Sequence, residues 1–298
     1  MKSKVIKLQC LTMAATSLLL ATVVKGNQGD LFVNSETDKA IYNITPGGGT
    51  NTFASGLTSP YGLAFDSAGN LFEGDNSGNI YKFTPQGVKS TFATGLGTEI
   101  GLAFDSSGNL FEADYWSGNI YKFTPAGVRS TFASGLDFPM GLAFDSSGNL
   151  YVADNGSGFP NGLIYKFTPG GVQSVFASGI SRPEGLAFDS SGNLYVASEI
   201  SVSSGSLYRY SGLGVKSTFA TGLGEPYGLA FDSSGNLYEA DYSSGHIYEF
   251  TPGGSQSTFA SGLNAPTMIA FQIVPEPATW VLLALGFGGL MAWRRGSR

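Results

Sequence analysis

The motif Gly-Leu-Ala-Phe-Asp occurs five times, beginning at Gly62, Gly101, Gly141, Gly185 and Gly228, and a degenerate sixth copy stands at Met268-Ile269-Ala270-Phe271. Successive starts are 39, 40, 44, 43 and 40 residues apart. A fixed period of this size marks stacked supersecondary units, none of which buries its apolar faces alone. Each complete copy continues into Asn-Leu-Tyr/Phe, then Ile/Leu-Tyr-x-Phe/Tyr, then Ser-Thr-Phe-Ala or a close variant, so the spacing predicts four strands per unit. With 43 glycines and only 13% charged residues, the composition suits short strands and tight turns. The expected class is all-β: a six-bladed β-propeller with four-stranded blades.

Turn chemistry recurs where the strands should reverse. Asp105-Ser106-Ser107-Gly108-Asn109 joins a first strand to a second, Ser117-Gly118-Asn119 a second to a third, and Thr124-Pro125-Ala126-Gly127 a third to a fourth. The Asp-Ser-Ser-Gly-Asn loop lacks the alternating oxygen ligands and closing Glu of a calcium loop, so it reads as a turn. In the first strand, Leu102 and Phe104 should face one neighbour and Ala103 the other, the small residue allowing close approach. Phe65, Phe104, Phe144, Phe188, Phe231 and Phe271 share one position, an aromatic load that only packing between neighbouring units can bury.

The ends of the repeat array specify closure. Its beginning, Asp30-Leu31-Phe32-Val33, is a second-strand segment, and the missing first strand appears only after the sixth unit, over 268–274. The last strand should therefore complete the first blade; an open solenoid would favour polar caps instead. Three segments are expected: a signal peptide over 1–26, the propeller over 27–274, and a sorting signal with a short transmembrane helix over 275–298. Lys2, Lys4 and Lys7 precede an apolar run over 11–24, the layout of an export signal. The only cysteine, Cys10, lies in that leader, so the body holds no disulfide. Seven of the sixteen basic residues lie in the terminal segments, so the body is more acidic than the whole-chain net charge of −6. Such a surface repels phosphate backbones, and nucleic acid is excluded as a partner.

At the C-terminus Pro275-Glu276-Pro277 leads into an apolar run over 278–293 that stops at Arg294-Arg295. Sixteen residues reach only ~24 Å as a helix, against a ~30 Å hydrocarbon core. The segment resembles the PEP-CTERM sorting signal. The resemblance implies an exosortase-type sorting enzyme as partner, contact with the inner membrane through the C-terminal helix, stable or transient, and delivery of an exported protein to the cell envelope or extracellular space of a Gram-negative bacterium. The alternative is a plain C-terminal anchor.

The stretch Pro139-Met140-Gly141-Leu142-Ala143-Phe144-Asp145 through Asn149-Leu150-Tyr151-Val152-Ala153-Asp154 resembles NHL-type repeats and, through them, the gluconolactonase-like family of six-bladed propellers. Such a fold carries enzymes and binding modules alike. The resemblance implies that the residue preceding each first strand lies at the mouth of the central channel: Tyr61, Ile100, Met140, Glu184, Tyr227 and Thr267. Gluconolactonase-like enzymes hold a divalent metal there with Glu, Asn and Asp, and only Glu184 matches in kind. The related streptogramin lyases use a histidine, and the one candidate, His246, occupies a turn position.

The remaining candidate site is an aromatic and acidic rim: Tyr61, Tyr115, Trp116, Tyr227 and Tyr242 with Glu184, alongside Phe138, Glu199 and Glu225. Flat aromatics beside hydrogen-bonding groups suit sugar faces and protein surfaces. Inserts near 156–161 and 199–204 should raise loops on the same face. Asp75, Asp114, Asp154 and Asp241, with Ser198 and Asn34 at matching places, end the second strands and are expected to bond turn backbone. Glu73, Glu112 and Glu239 have no role evident from sequence. The expectation is an exported, non-catalytic binding or structural propeller of the envelope or matrix, with a polysaccharide or protein ligand, no cofactor and no catalytic or metal residues; the alternative is a metal-dependent lactonase or lyase.

Overall fold

The computed structural model describes residues 29–97, 101–157, 161–201 and 204–272. Among them, 24 strands form six four-stranded antiparallel sheets, each built of strands consecutive in sequence except the first. In that blade Pro266–Phe271 lies innermost, followed by Leu31–Ser35, Ala40–Ile44 and Thr50–Ser55. Leu31 stands opposite Phe271 and Val33 opposite Ile269, and the Gln272 N–H donates to the Asp30 carbonyl at 2.9 Å. The chain's last described strand thus closes the ring, as the displaced repeat requires. A ring has no terminal blade to expose an apolar face, the problem an open stack must solve with caps.

One aromatic contact repeats around the circle. The second-strand aromatic of each blade meets a fourth-strand Phe of its own blade and the first-strand Phe of the next. Phe72 stands edge-on to Phe92 and to Phe104, both at 5.0 Å. At the closure Tyr238 meets Phe259 at 4.9 Å and Phe271 at 5.0 Å, so the joined interface has the geometry of the others. Each edge-to-face pair contributes about 0.5–1.5 kcal/mol beyond its area burial.

The innermost strands meet along a channel lined by Leu63, Leu102, Leu142, Leu186, Leu229 and Ile269, a cavity of about 80 Å³. Their glycines explain the motif. A Cβ on Gly141 would collide with the Glu184 carbonyl of the next blade, and one on Gly185 with that of Tyr227. Without side chains, adjacent first strands approach backbone to backbone and press the mouth residues inward.

The Asp turns are turns. Asp105 Oδ1 accepts the N–H groups of Ser107 (2.9 Å) and Asn109 (2.8 Å), while Oδ2 accepts the Asn109 amide at 2.7 Å. Gly108 sits at φ 79°, where a side chain is disfavoured. Three N–H bonds from the turn itself thus converge on the carboxylate, as in the Asp66, Asp145, Asp189 and Asp232 turns.

The second-strand ends carry a related tie. Asp114 accepts the Gly97 N–H at 2.7 Å, Asp154 the Asp137 N–H at 2.9 Å and Asp241 the Gly224 N–H at 2.6 Å, fastening the loop that enters each blade. Ser198 does so by donating to the Ser181 carbonyl. In the first blade this place belongs to Ser35, which donates to the Asn264 carbonyl at 2.5 Å, and not to Asn34. Asn34 is one residue out of register and faces the second blade, donating to the Gly62 carbonyl.

The expected transmembrane helix is corrected. Among the described residues no helix is long and apolar enough to cross a membrane, and a run of sixteen residues is shorter than a full span requires. The segment 275–298 itself lies outside the described residues, as do the signal peptide over 1–26 and the sorting motif Pro275, Glu276 and Pro277.

Glu73, Glu112 and Glu239 lie between blades. Each is 0% exposed, and neither oxygen of any of the three carboxyls meets a hydrogen-bond donor. Val33, Val152 and Val196 occupy the same position in the other blades, and they too are fully buried. Burial, reinforced by Asp75 and opposed by Lys89, pushes the Glu73 carboxyl up to about 8. Burial likewise raises Glu112 and Glu239 well above the carboxylate range, with Asp114 and Asp241 adding to it. These are neutral acids standing in for valine, at some cost in stability.

Two predictions follow from ring closure and from these acids. A chain ending at Asn264, lacking the closing strand, should lose its sharp cooperative melt in calorimetry; an unchanged transition would contradict closure. Below pH ~4.5 each Glu is protonated whether the chain is folded or not, and above it unfolding releases a proton, so stability falls with rising pH until the folded group itself ionises, near 8 for Glu73. Glu112→Val and Glu239→Val should therefore flatten the fall in Tm between pH 5 and 8 and raise Tm at pH 8 by on the order of 5 °C. Loss of stability in both variants would show that the carboxyls are held by favourable contacts.

Candidate functional site

One face of the ring gathers the residues that the repeat does not fix. Tyr61 (5% exposed), Met140 (3%), Glu184 (0%) and Thr267 (0%) surround the channel mouth, with Tyr227 half-buried beside them. Thr267 donates to the Pro60 carbonyl, which ties the first blade to the second. Ile100, the remaining member of the expected ring, lies outside the described residues.

Two residues absent from the sequence reading organise the site's charge. Arg182 places Nη1 2.6 Å from Glu199 Oε2 and Nη2 3.9 Å from Glu184 Oε1. Asn155 donates its amide to Glu184 Oε1 at 3.4 Å. Burial works against the Arg182 charge, but Glu184 and Glu199 outweigh it and the guanidinium stays protonated. Glu199 is raised by its burial, with Arg182 pulling the other way. The local backbone that sets this pair is unusual. Arg182 precedes Pro183 at φ 37°, and Phe138 precedes Pro139 at φ 63°. Bulky residues rarely adopt this left-handed region, which costs about 1–2 kcal/mol. Their carbonyls accept the N–H groups of Glu199 (3.3 Å) and Asn155 (3.1 Å), holding each turn in place.

The aromatic rim forms two groups. Tyr227 stands between Tyr61, with centroids 5.9 Å apart, and Tyr242, at 5.1 Å. Tyr242 donates its hydroxyl to Glu36 at 3.0 Å, and its N–H goes to the Glu225 carbonyl at 2.8 Å. Opposite them Tyr115 packs on Trp116 at 5.2 Å and on Phe138 at 4.8 Å. Tyr227 and Tyr115 both lie near enough to Arg182 to add to the rise in its pKa. Trp116 is 66% exposed, a large apolar side chain left open to solvent. Burial drives the Tyr227 phenol far above its ordinary range, with Glu184 adding to the shift, and Tyr242 is pushed up to about 12 by burial and by Glu36. Both phenols are neutral hydrogen-bond donors at physiological pH.

The structure therefore brings Tyr61, Tyr115, Trp116, Glu184, Tyr227 and Tyr242 to one mouth and adds Arg182, Asn155 and Glu36. The insert in the fifth blade lengthens the strands Leu194–Ser201 and Ser204–Tyr210, which pair out to Ser201 opposite Ser204, and its tip at 202–203 lies outside the described residues. The segment 158–160 of the other insert lies outside the described residues. His246 is not at the mouth ring; it begins the strand His246–Phe250, opposite Asp241, and stacks on Tyr248 at 5.5 Å.

These residues do not fit the divalent metal of gluconolactonase-like propellers. Glu184 and Asn155 supply oxygen and amide groups, but the neighbouring mouth positions Tyr61, Met140, Tyr227 and Thr267 add no carboxylate. The charge of Glu184 is instead answered by a guanidinium. Among the described residues no cluster of three His, Cys, Asp or Glu side chains could hold a metal ion.

Comparison with known proteins places this geometry. Residues 139–276 match the family model described as the SMP-30/gluconolactonase/LRE-like region, and residues 274–296 match the PEP-CTERM protein-sorting motif. Similar solved structures include a gluconolactonase from Xanthomonas campestris, 16% identical over 80% of this chain and 87% of that one, with a TM-score of 0.65. A catalytically inactive virginiamycin B lyase from Staphylococcus aureus with quinupristin is 13% identical over 83% and 92%, with a TM-score of 0.60. Identities this low carry the fold and not the activity. No curated protein matches the chain. The chain is a six-bladed β-propeller whose residues 139–276 are similar to the gluconolactonase-like region and whose C-terminus carries a PEP-CTERM sorting motif.

Proposed function

We propose that this chain is an exported, non-catalytic binding propeller of the cell envelope or extracellular matrix, and that its channel mouth takes a polysaccharide or protein ligand. The observation that carries this reading is the pairing of Arg182 with Glu184 and Glu199: the carboxylate in the position of a metal ligand already has a counter-charge from the protein. Around that pair lie the flat, partly open rings of Tyr115, Trp116, Tyr227 and Tyr242, which suit the apolar faces of sugar rings or the side chains of a partner. The PEP-CTERM motif supports handling by an exosortase-type sorting system and delivery to the envelope. Metal-dependent lactone hydrolysis or lyase chemistry is the second reading, favoured by the gluconolactonase-like match over 139–276.

Titrating the full chain against a glycan panel separates the two. Trp116→Ala should weaken saccharide binding about tenfold or more with Tm unchanged, because Trp116 is exposed and outside the blade core. Metal-stimulated lactone hydrolysis that disappears in Glu184→Gln would overturn the binding reading.

A further inference from the structure

The chain leaves the ring on the face away from the mouth. The closing strand Pro266–Phe271 starts beside Thr267 at the mouth and ends where the Gln272 N–H meets the Asp30 carbonyl. In the second blade the same place is taken by Asp66, whose N–H bonds the Asn70 carbonyl across the turn at the opposite face. The apolar run over 278–293 begins six residues past Gln272. An extended chain covers at most ~3.6 Å per residue, so this face stays within about 22 Å of any lipid that the run enters.

The outer rim of that face exposes aliphatic side chains. In the turns between third and fourth strands Val88, Val128, Val172 and Val215 are 64–67% exposed, and Leu213, in the last of these turns, is 93% exposed. The fold does not demand valine there, because backbone bonds hold the turn. The Thr84 N–H donates to the Val88 carbonyl at 3.0 Å, and the Val88 N–H donates to Thr84 Oγ1 at 3.2 Å. Gly49 and Ser255 make the same two bonds in the first and sixth blades. Four consecutive blades thus present an apolar residue that packing does not explain.

Charge is divided in the same direction. Among the basic residues of the described ring only Lys39 and Arg182 lie on the mouth side. Lys82, Lys122 and Lys166 pair with the turn residues Asp66, Asp105 and Asp145 at 3.6–3.8 Å. Lys89, Arg129 and Lys216 each directly follow an exposed valine, and among the described residues they form no ion pair. Their heads stand 3.5, 5.1 and 3.6 Å from the centres of the Tyr81, Tyr121 and Tyr208 rings. An exposed valine beside a cation without a carboxylate, repeated along one rim, matches anionic headgroups over hydrocarbon.

We infer that the face opposite the mouth docks on an anionic lipid surface, with the valine turns of the second to fifth blades entering the headgroup layer. The inference rests on the reading of the tail as a sorting signal handled at the membrane. Lys89, Arg129 and Lys216 meet the lipid phosphates, and the mouth is turned away from the membrane toward its ligand. Such a contact needs no spanning helix.

The test combines vesicle binding with spin-label accessibility in the full chain, using vesicles of equal parts phosphatidylcholine and phosphatidylglycerol and vesicles of phosphatidylcholine alone. Cys10→Ser removes the native thiol, and single labels are placed by Val128→Cys and, on the mouth side, by Ser244→Cys at an exposed turn. On the anionic vesicles the Val128 label should lose contact with a water-soluble nickel chelate and gain contact with oxygen, while the Ser244 label stays in water. Lys89→Gln, Arg129→Gln and Lys216→Gln should each weaken binding to the anionic vesicles about fivefold. Replacing the four valines together by Ser, the residue that the sixth blade carries at Ser255, should weaken binding about tenfold with Tm unchanged. A Val128 label as water-exposed as that at Ser244 on bound chains, or binding indifferent to both sets of substitutions, overturns the docking face and leaves the tail as the membrane contact. Failure of the full chain to bind either vesicle overturns the membrane reading of the tail as well. A Val128 label shielded equally without vesicles assigns the rim to contact between copies of this chain and overturns the lipid surface.

Discussion

The edge-to-face contact between the second-strand aromatic of one blade and the first-strand Phe of the next is the constraint on which the molecule depends. It recurs between Phe32 and Phe65, Phe72 and Phe104, Phe111 and Phe144, Tyr151 and Phe188, Tyr195 and Phe231, and Tyr238 and Phe271, always at 4.9–5.1 Å. A four-stranded sheet with apolar residues on both faces has no stable existence in water, so each blade needs two neighbours. Six such contacts at one spacing form a closed circle only if the last connects to the first. Phe271 makes that connection, on a strand that reaches the first blade from the far end of the chain.

Closure frees the top of the ring for function. Because the glycines of the first strands bring backbones together around the channel, the preceding residues crowd into one mouth whatever their side chains are. The repeat fixes their positions and leaves their identities unconstrained, and the chain uses this freedom unevenly. Tyr61 and Tyr227 pack on each other, Thr267 ties two blades, and Glu184 is held by Asn155 and Arg182. The Arg182 guanidinium answers the charges of Glu184 and Glu199, so the charge of the site is set by the protein itself. The left-handed backbone at Arg182 and Phe138 belongs to the same design: strain of this kind persists where surrounding hydrogen bonds hold it.

Much of the fold was legible because it lies in periodic residues. The Asp-x-x-Gly-Asn turns, the Phe positions and the displaced first strand each occur at a fixed offset, and local chemistry is enough to interpret them. Misassignment came where periodicity breaks. Asn34 was aligned with the strand-end Asp residues, yet it occupies the small-residue position of Gly74 and Ala113, and Ser35 performs the tie. Glu73, Glu112 and Glu239 were opaque because their meaning depends on the neighbouring blade's covering face, which alternation within one strand does not specify. The rim aromatics stand out in the sequence only as departures from the repeat. Arg182 and Asn155 were missed: Asn155 lies in the loop between the second and third strands of its blade, and Arg182 lies between repeats, in the pre-proline place held by Ser59, Phe138 and Ala265. A charged residue there, two positions before Glu184, was the available signal. The membrane-spanning helix rests on hydropathy, a basic stop and the PEP-CTERM resemblance, and sixteen apolar residues are too few for a full span.

The most direct test of a closed ring is differential scanning calorimetry of the full chain, comparing the calorimetric enthalpy with the van't Hoff enthalpy of the same transition. If six equivalent interfaces bind the blades into one unit, the two values coincide. A calorimetric enthalpy several times the van't Hoff value would mean that blades melt independently, and would contradict the closed ring.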